Sequence, residues 1–188
     1  GHVATIDLND REHNQPWPGG RTNHYLYDLN RDWLPATQPE SQGRLKLYYN
    51  WRPQVVVDFH EMGRDRTYFF QPGIPSRNNP NTPENVFNLT NKLATYHAEA
   101  LNSIGVLYYS KERFDDFYYG KGSTFPDVTG AIGILFEQAS SRGLATSTTS
   151  GELSYTFSIK NHFNASLGTL EGMWEMRDEF LEHQRNFY

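Results

Sequence analysis

The chain contains no cysteine, which excludes disulfides, thiolate metal sites and a cysteine nucleophile, while leaving its compartment open. No apolar run approaches the roughly 20 residues that cross a bilayer, so no membrane span is expected. The residues from Gly1 onward show no signal-peptide pattern, so none is expected within the sequence. Cationic residues are outnumbered, 17 Lys and Arg against 22 Asp and Glu, for a net charge of −5 and a pI near 5.8. That balance provides no basic stripe for a phosphate backbone, so nucleic acid is not expected as a partner. Local arginines are then expected to act on small anions.

What is present is enough for one core. With 188 residues and 37% hydrophobic content, residues 1–188 read as a single domain. Aromatic content is 15%, with twelve Tyr and four Trp, and part of it gathers between Phe114 and Tyr119. Rings with a polar tip suit the lining of a cleft, although ordinary packing accounts for most of them.

Turn formers at Asn14, Pro16, Pro18, Gly19 and Gly20 predict a loop over 10–23 that carries Arg21 into a strand over Tyr25 to Leu29. A short helix through Leu45, Tyr48 and Trp51 is predicted to stop before Pro53, followed by a buried strand from Gln54 to Phe59. Gln71 to Thr82 reads as a loop. A helix then starts with Thr82 as N-cap and Pro83 in its first turn, and stops at Gly105. Val106 to Tyr109 is a predicted strand, Ser110 to Thr129 a long loop, Ala131 to Glu137 a buried strand and Ser140 to Gly151 a polar loop. Beyond that, Leu153, Phe157, Phe163, Leu167, Leu170, Trp174 and Leu181 recur at helical spacing, with Gly168 and Gly172 as weak points.

Three segments of strand length close on residues able to hold an anion, bind a metal or move a proton: Tyr27-Asp28-Leu29-Asn30-Arg31, Val55-Val56-Val57-Asp58-Phe59-His60 and Ile132-Gly133-Ile134-Leu135-Phe136-Glu137. In open α/β sheets ligands sit outside the carboxyl ends of the strands, so these ends are predicted to share one crevice. His60 can offer a neutral imidazole to zinc, or simply cap its strand by hydrogen bonding. Glu137, partly desolvated by its apolar run, suits a general base; the alternative is an ion pair closing the sheet. Asn30 and Arg31 supply an amide and a planar fork fit for a carboxylate, and Arg21 a second cation for developing negative charge.

Together these residues resemble the zinc carboxypeptidases of the carboxypeptidase A and cytosolic carboxypeptidase superfamily. The resemblance runs through Gly20-Arg21-Thr22-Asn23, Asp28-Leu29-Asn30-Arg31-Asp32-Trp33, Val57-Asp58-Phe59-His60, Gly122-Ser123 with Asp127, and Leu135-Phe136-Glu137, in the family's order. It implies an α/β fold of three layers, α/β/α, around a mixed, largely parallel sheet: an incomplete zinc-carboxypeptidase-like (phosphorylase/hydrolase-like) domain. It implies further that His60 is a zinc ligand, that Glu137 activates the metal-bound water, and that Asn30 and Arg31 hold the substrate's terminal carboxylate. Arg21 would polarise the scissile carbonyl, and Tyr119, or its neighbour Tyr118, would close over the substrate. The implied substrate is a peptide or protein C-terminus, and family habit implies a secreted or periplasmic location.

One part is missing. The family's first two zinc ligands come from a His-x-x-Glu motif ahead of Asp-Leu-Asn-Arg, and none of the seven histidines is followed by Glu three residues on. The chain is therefore expected to be a carboxy-terminal piece of a longer enzyme, inactive alone and holding zinc weakly or not at all. A metal-free module that binds peptide C-termini and a related zinc deacylase of N-acyl amino acids are the alternatives.

Overall fold

The architecture grows from two paired strands, of which only the second is buried as expected. The first, expected to be buried over Gln54 to Phe59, is half-buried because it has a strand partner on one side alone among the described residues. In the computed structural model, which describes residues 6–7 and 22–188, β1 (Val55–Met62) lies parallel to β4 (Ile132–Ala139) over eight consecutive residue pairs. β2 (Tyr68–Phe70) joins β4 antiparallel, and β3 (Tyr108–Tyr109) joins β2 parallel, giving the order β1-β4-β2-β3. The sheet is thus mixed, with two of its three pairings parallel and helices on both faces.

Alternation along the strands divides the side chains between two layers. Val55, Val57, Ile132, Ile134, Phe136, Tyr68 and Phe70 face a core completed by α2 (Glu84–Ser103), α3 (Tyr155–Glu175) and α4 (Arg177–Phe187). On the other face, Val56 meets Trp33, Tyr48 and Phe125, while Leu135 and Phe69 meet Met62, Tyr109 and Phe114. Tyr48 comes from α1 (Pro39–Trp51), which starts at a proline with no helical N–H to satisfy and stops at Arg52. Arg52 is left-handed, its N–H closes on the Tyr48 carbonyl, and Pro53 forbids continuation.

Several predicted boundaries move. Tyr25 to Leu29 is not a strand, because the Asn23 side-chain oxygen accepts the N–H groups of both Tyr25 and Tyr27 and Leu26 adopts φ 65°. A side chain that satisfies the backbone locally removes the need for a ladder. Only the isolated Thr22–Asp28 bridge remains, and Leu29–Arg31 forms a 3₁₀ turn. Pro83 rather than Thr82 precedes α2, the Thr82 hydroxyl being 3.0 Å from that of Tyr119. The polar segment after Ser140 contains a hairpin of β5 (Ala145–Thr148) and β6 (Gly151–Ser154).

Gly168 and Gly172 are not breaks. A Cβ at Gly168 would lie 2.8 Å from the Tyr96 carbonyl oxygen, and one at Gly172 would meet Leu93, so both glycines allow α3 and α2 to close together. The helix breaks instead at Met176. Its buried face is small and polar, whereas Ile159, Phe163, Leu167, Leu170 and Trp174 are about half exposed or more.

Candidate functional site

Asp28 starts the site. Its carboxylate accepts the Asn30 N–H at 2.9 Å and its carbonyl accepts that of Arg31, fixing the 3₁₀ turn that presents both residues. Arg44 supports the turn from α1, donating to the Leu29 carbonyl at 3.0 Å while stacked 3.9 Å from the Trp33 ring.

The Asn30 amide has one orientation. The Gly122 N–H donates to its oxygen at 2.8 Å, so its nitrogen faces Asp58 Oδ2 at 3.0 Å and His60 Nε2 at 2.7 Å. The same imidazole nitrogen lies 2.9 Å from Asp58 Oδ1. His60 Nε2 therefore stands between a donor and an anion, and uses its lone pair for Asn30 or a proton for Asp58. Asp58 and His60 are two apart on β1 and share a face; the sequence reading did not single out Asp58, although strand alternation was the available signal.

His60 and Glu137 are Cα partners in the β1/β4 ladder, and directly paired residues of parallel strands project to the same side. On the far side of Glu137 lies Phe69, fully buried. The strands do not end at these residues as predicted but continue to Met62 and Ala139, so both groups ride on hydrogen-bonded backbone. Imidazole, carboxylate and amide are thus carried by two neighbouring strands and one turn docked against them.

Other expected residues are placed as follows. Arg31 is exposed and turned back on the Asn30 carbonyl at 2.6 Å. Tyr118 donates to the Arg31 carbonyl at 3.0 Å, whereas Tyr119 reaches Thr82 at the start of α2. The Tyr118 ring crosses Gly120, where a Cβ would overlap it, and the Trp33 N–H donates to the Gly120 carbonyl. Gly122 is equally confined: a Cβ would lie 2.8 Å from Asp58 Oδ2. Arg21 lies outside the described residues.

Two buried carboxyls, Asp116 and Asp127, lie before and within the Gly120–Thr129 loop in the sequence. Asp127 accepts the Gly133 N–H at 2.8 Å. Burial holds Asp127 well above the carboxylate range, with Asp116 adding to the effect, and pushes Asp116 up to about 7 against Lys121 and the Gln71 amide. An acid raised in the folded state holds its proton more tightly there than in the unfolded chain. Its contribution to stability is complete below about pH 4 and is lost as pH rises to about 7. Asp116→Asn should therefore gain stability on the wild type, by on the order of 2 kcal/mol, between pH 5 and pH 8. Thermal unfolding of both proteins at the two pH values measures this, and a constant difference would contradict it.

The donor set is short for a metal. Among the described residues no three His, Cys, Asp or Glu groups could share an ion, and His60 with Asp58 makes two donors where catalytic zinc takes three protein ligands.

No protein-family model and no curated protein matches the chain. Among solved structures, it is similar to the crystal structure of a metallo-carboxypeptidase from Burkholderia cenocepacia, with a TM-score of 0.58 and 15% identity over 85% of this chain. The likeness is one of fold. The chain spans 40% of that protein's length, and the fold is α/β of the metallo-carboxypeptidase type.

Proposed function

We propose that the chain carries the substrate-holding and proton-transfer part of a carboxypeptidase-like hydrolase that releases residues from peptide C-termini. The observation that supports this best is the direct pairing of His60 with Glu137, beside an Asn30 amide locked by Gly122 against Asp58 and His60. In this reading Glu137 takes a proton from the attacking water and returns it to the leaving amine. Arg31 meets the terminal carboxylate with its planar fork, Asn30 holding the imidazole in place behind it. Tyr118, hydrogen bonded to the Arg31 carbonyl, stands closer to that grip than Tyr119. Arg21 is assigned the scissile carbonyl by its place in the motif order alone.

Zinc does not enter these steps. The described residues fall one donor short of a catalytic zinc site. The shortage favours a second reading, in which the same Arg31 and Asn30 bind peptide C-termini without cleaving them.

Release of free amino acids from peptides, followed by chromatography with the complete natural protein, separates the two. Turnover is expected for free C-termini and not for amidated ones. Arg31→Ala should raise KM roughly tenfold or more with a smaller effect on kcat, because the lost contact is made in ground and transition states alike. Binding of free C-termini without any release would establish the second reading. Equal handling of free and amidated peptides would remove both.

A further inference from the structure

The outer face of α3 is apolar. Ile159, Phe163, Leu167, Leu170 and Trp174 each leave 47–69% of their surface exposed, and successive members are three or four residues apart. At 3.6 residues per turn they form one stripe, opposite the face of Ser158, Asn161, Ala165, Gly168, Thr169 and Gly172 that packs inward. Surface helices ordinarily bury their large apolar residues and turn polar ones outward; α3 does the reverse. Taking roughly 200 Å² for a whole large side chain, the stripe leaves about 600 Å² open. That is the top of the range for the largest apolar patch on a typical monomer, roughly 300–600 Å².

The stripe is its own mirror along the chain. Ile159 and Trp174 lie equally far from the midpoint between Ser166 and Leu167, and so do Phe163 and Leu170. A second α3 laid antiparallel across a two-fold axis at that midpoint sets Phe163 against Leu170 and Ile159 against Trp174, each pairing occurring twice. From Phe163 to Trp174 the spacing of four, three and four residues is that of a coiled-coil seam.

The charges beside the stripe fit the same arrangement. Lys160, Glu171 and Glu175 are exposed and lie on one flank of the helix. A two-fold axis brings like flank to like flank, and Lys160 then falls at a height midway between Glu171 and Glu175 of the second copy. Symmetry supplies this ammonium between two carboxylates at both ends of the pair. A lipid surface would be matched by flanks rich in Lys and Arg instead. Covering both stripes removes about 1,200 Å², the lower edge of the range for specific protein interfaces.

We infer that α3 is the interface of an antiparallel homodimer whose two-fold axis passes between Ser166 and Leu167. The pairing leaves the candidate site open, because α3 packs on the sheet face opposite the one that carries His60 and Glu137.

Sedimentation velocity of the 188-residue chain, from low micromolar to several hundred micromolar concentration, should show a reversible dimer. Phe163→Gln/Leu170→Gln should weaken association by about tenfold or more, whereas Leu107→Gln, at a still more exposed leucine outside the helix, should leave it unchanged. Lys160→Glu should weaken it by roughly tenfold at low salt, and adding Glu171→Lys/Glu175→Lys should restore it to within about threefold. Because the chain has no cysteine, a single introduced one reports the register. Leu167→Cys brings two Cα atoms to roughly 6 Å across the axis, within disulfide reach, whereas Ile159→Cys leaves its two copies roughly 22 Å apart. Only the first should cross-link on mild oxidation. A monomer at every concentration, a dimer untouched by the Phe163 and Leu170 substitutions, a charge swap that restores nothing, or equal cross-linking at positions 159 and 167 overturns the inference. Monomers captured by phosphatidylglycerol vesicles overturn it in favour of a lipid surface.

Discussion

Glu137→Gln is expected to lower amino-acid release by roughly 10² to 10⁴-fold, the range for loss of a positioned general base. The substitution is nearly isosteric, and residue 137 stays fixed by its ladder partners His60 and Phe69. The melting temperature should therefore change little, and the affinity for a free peptide C-terminus should stay within a fewfold of the wild type. That combination separates lost chemistry from lost structure. If the variant keeps activity within tenfold of the wild type, the base lies elsewhere; nearby Glu61 does not qualify by its present contacts, since it accepts from the Ser140 hydroxyl at 2.9 Å.

The second large effect is structural. Gly133 is the second residue of β4 and buried, and a Cβ there would overlap the backbone carbonyl of Ser123. Backbone cannot swing aside as a long side chain can, so Gly133→Ala forces strand and loop apart. A loss of roughly 3 kcal/mol is expected, a fall in melting temperature of about 6–12 °C for a chain of this size. Ser123 follows Gly122, so the displacement also pulls the amide donor from Asn30. Gly43→Ala is the internal control. It lies in α1 with open space around its Cβ position and should stabilise slightly, by about 0.5–1 kcal/mol. Thermal unfolding of both variants decides the matter, and a Gly133→Ala protein as stable as the wild type would show that the loop does not rest on the strand.

The sequence was most legible where apolar continuity and chemistry coincide. The valine run before Asp58 and the apolar run before Glu137 marked two adjacent strands, the first at the sheet edge rather than at its centre, and their terminal groups are indeed neighbours. Tyr68–Phe70 was not legible as a strand: three residues are too few for any period to show, and only pairing with β4 and β3 makes them extended. α3 misled in a different way. Its large apolar residues gave the helical period correctly, yet the face that packs is made of Ala165, Gly168 and Gly172, because close approach of α2 rewards small residues over large ones. Asp58 escaped notice for lack of a partner, since the sequence does not place Asn30 beside it.

The β1/β4 pairing carries a consequence for how such a site can change. Because neighbouring residues of a strand project to opposite sides, inserting or deleting a single residue within Val55–His60 or Ile132–Glu137 would send the imidazole or the carboxylate into the helix-covered layer. Turns such as the one between β5 and β6 can vary in length around this pair. The two strands can vary only in side chains, so their residue count is the less negotiable part of the chain.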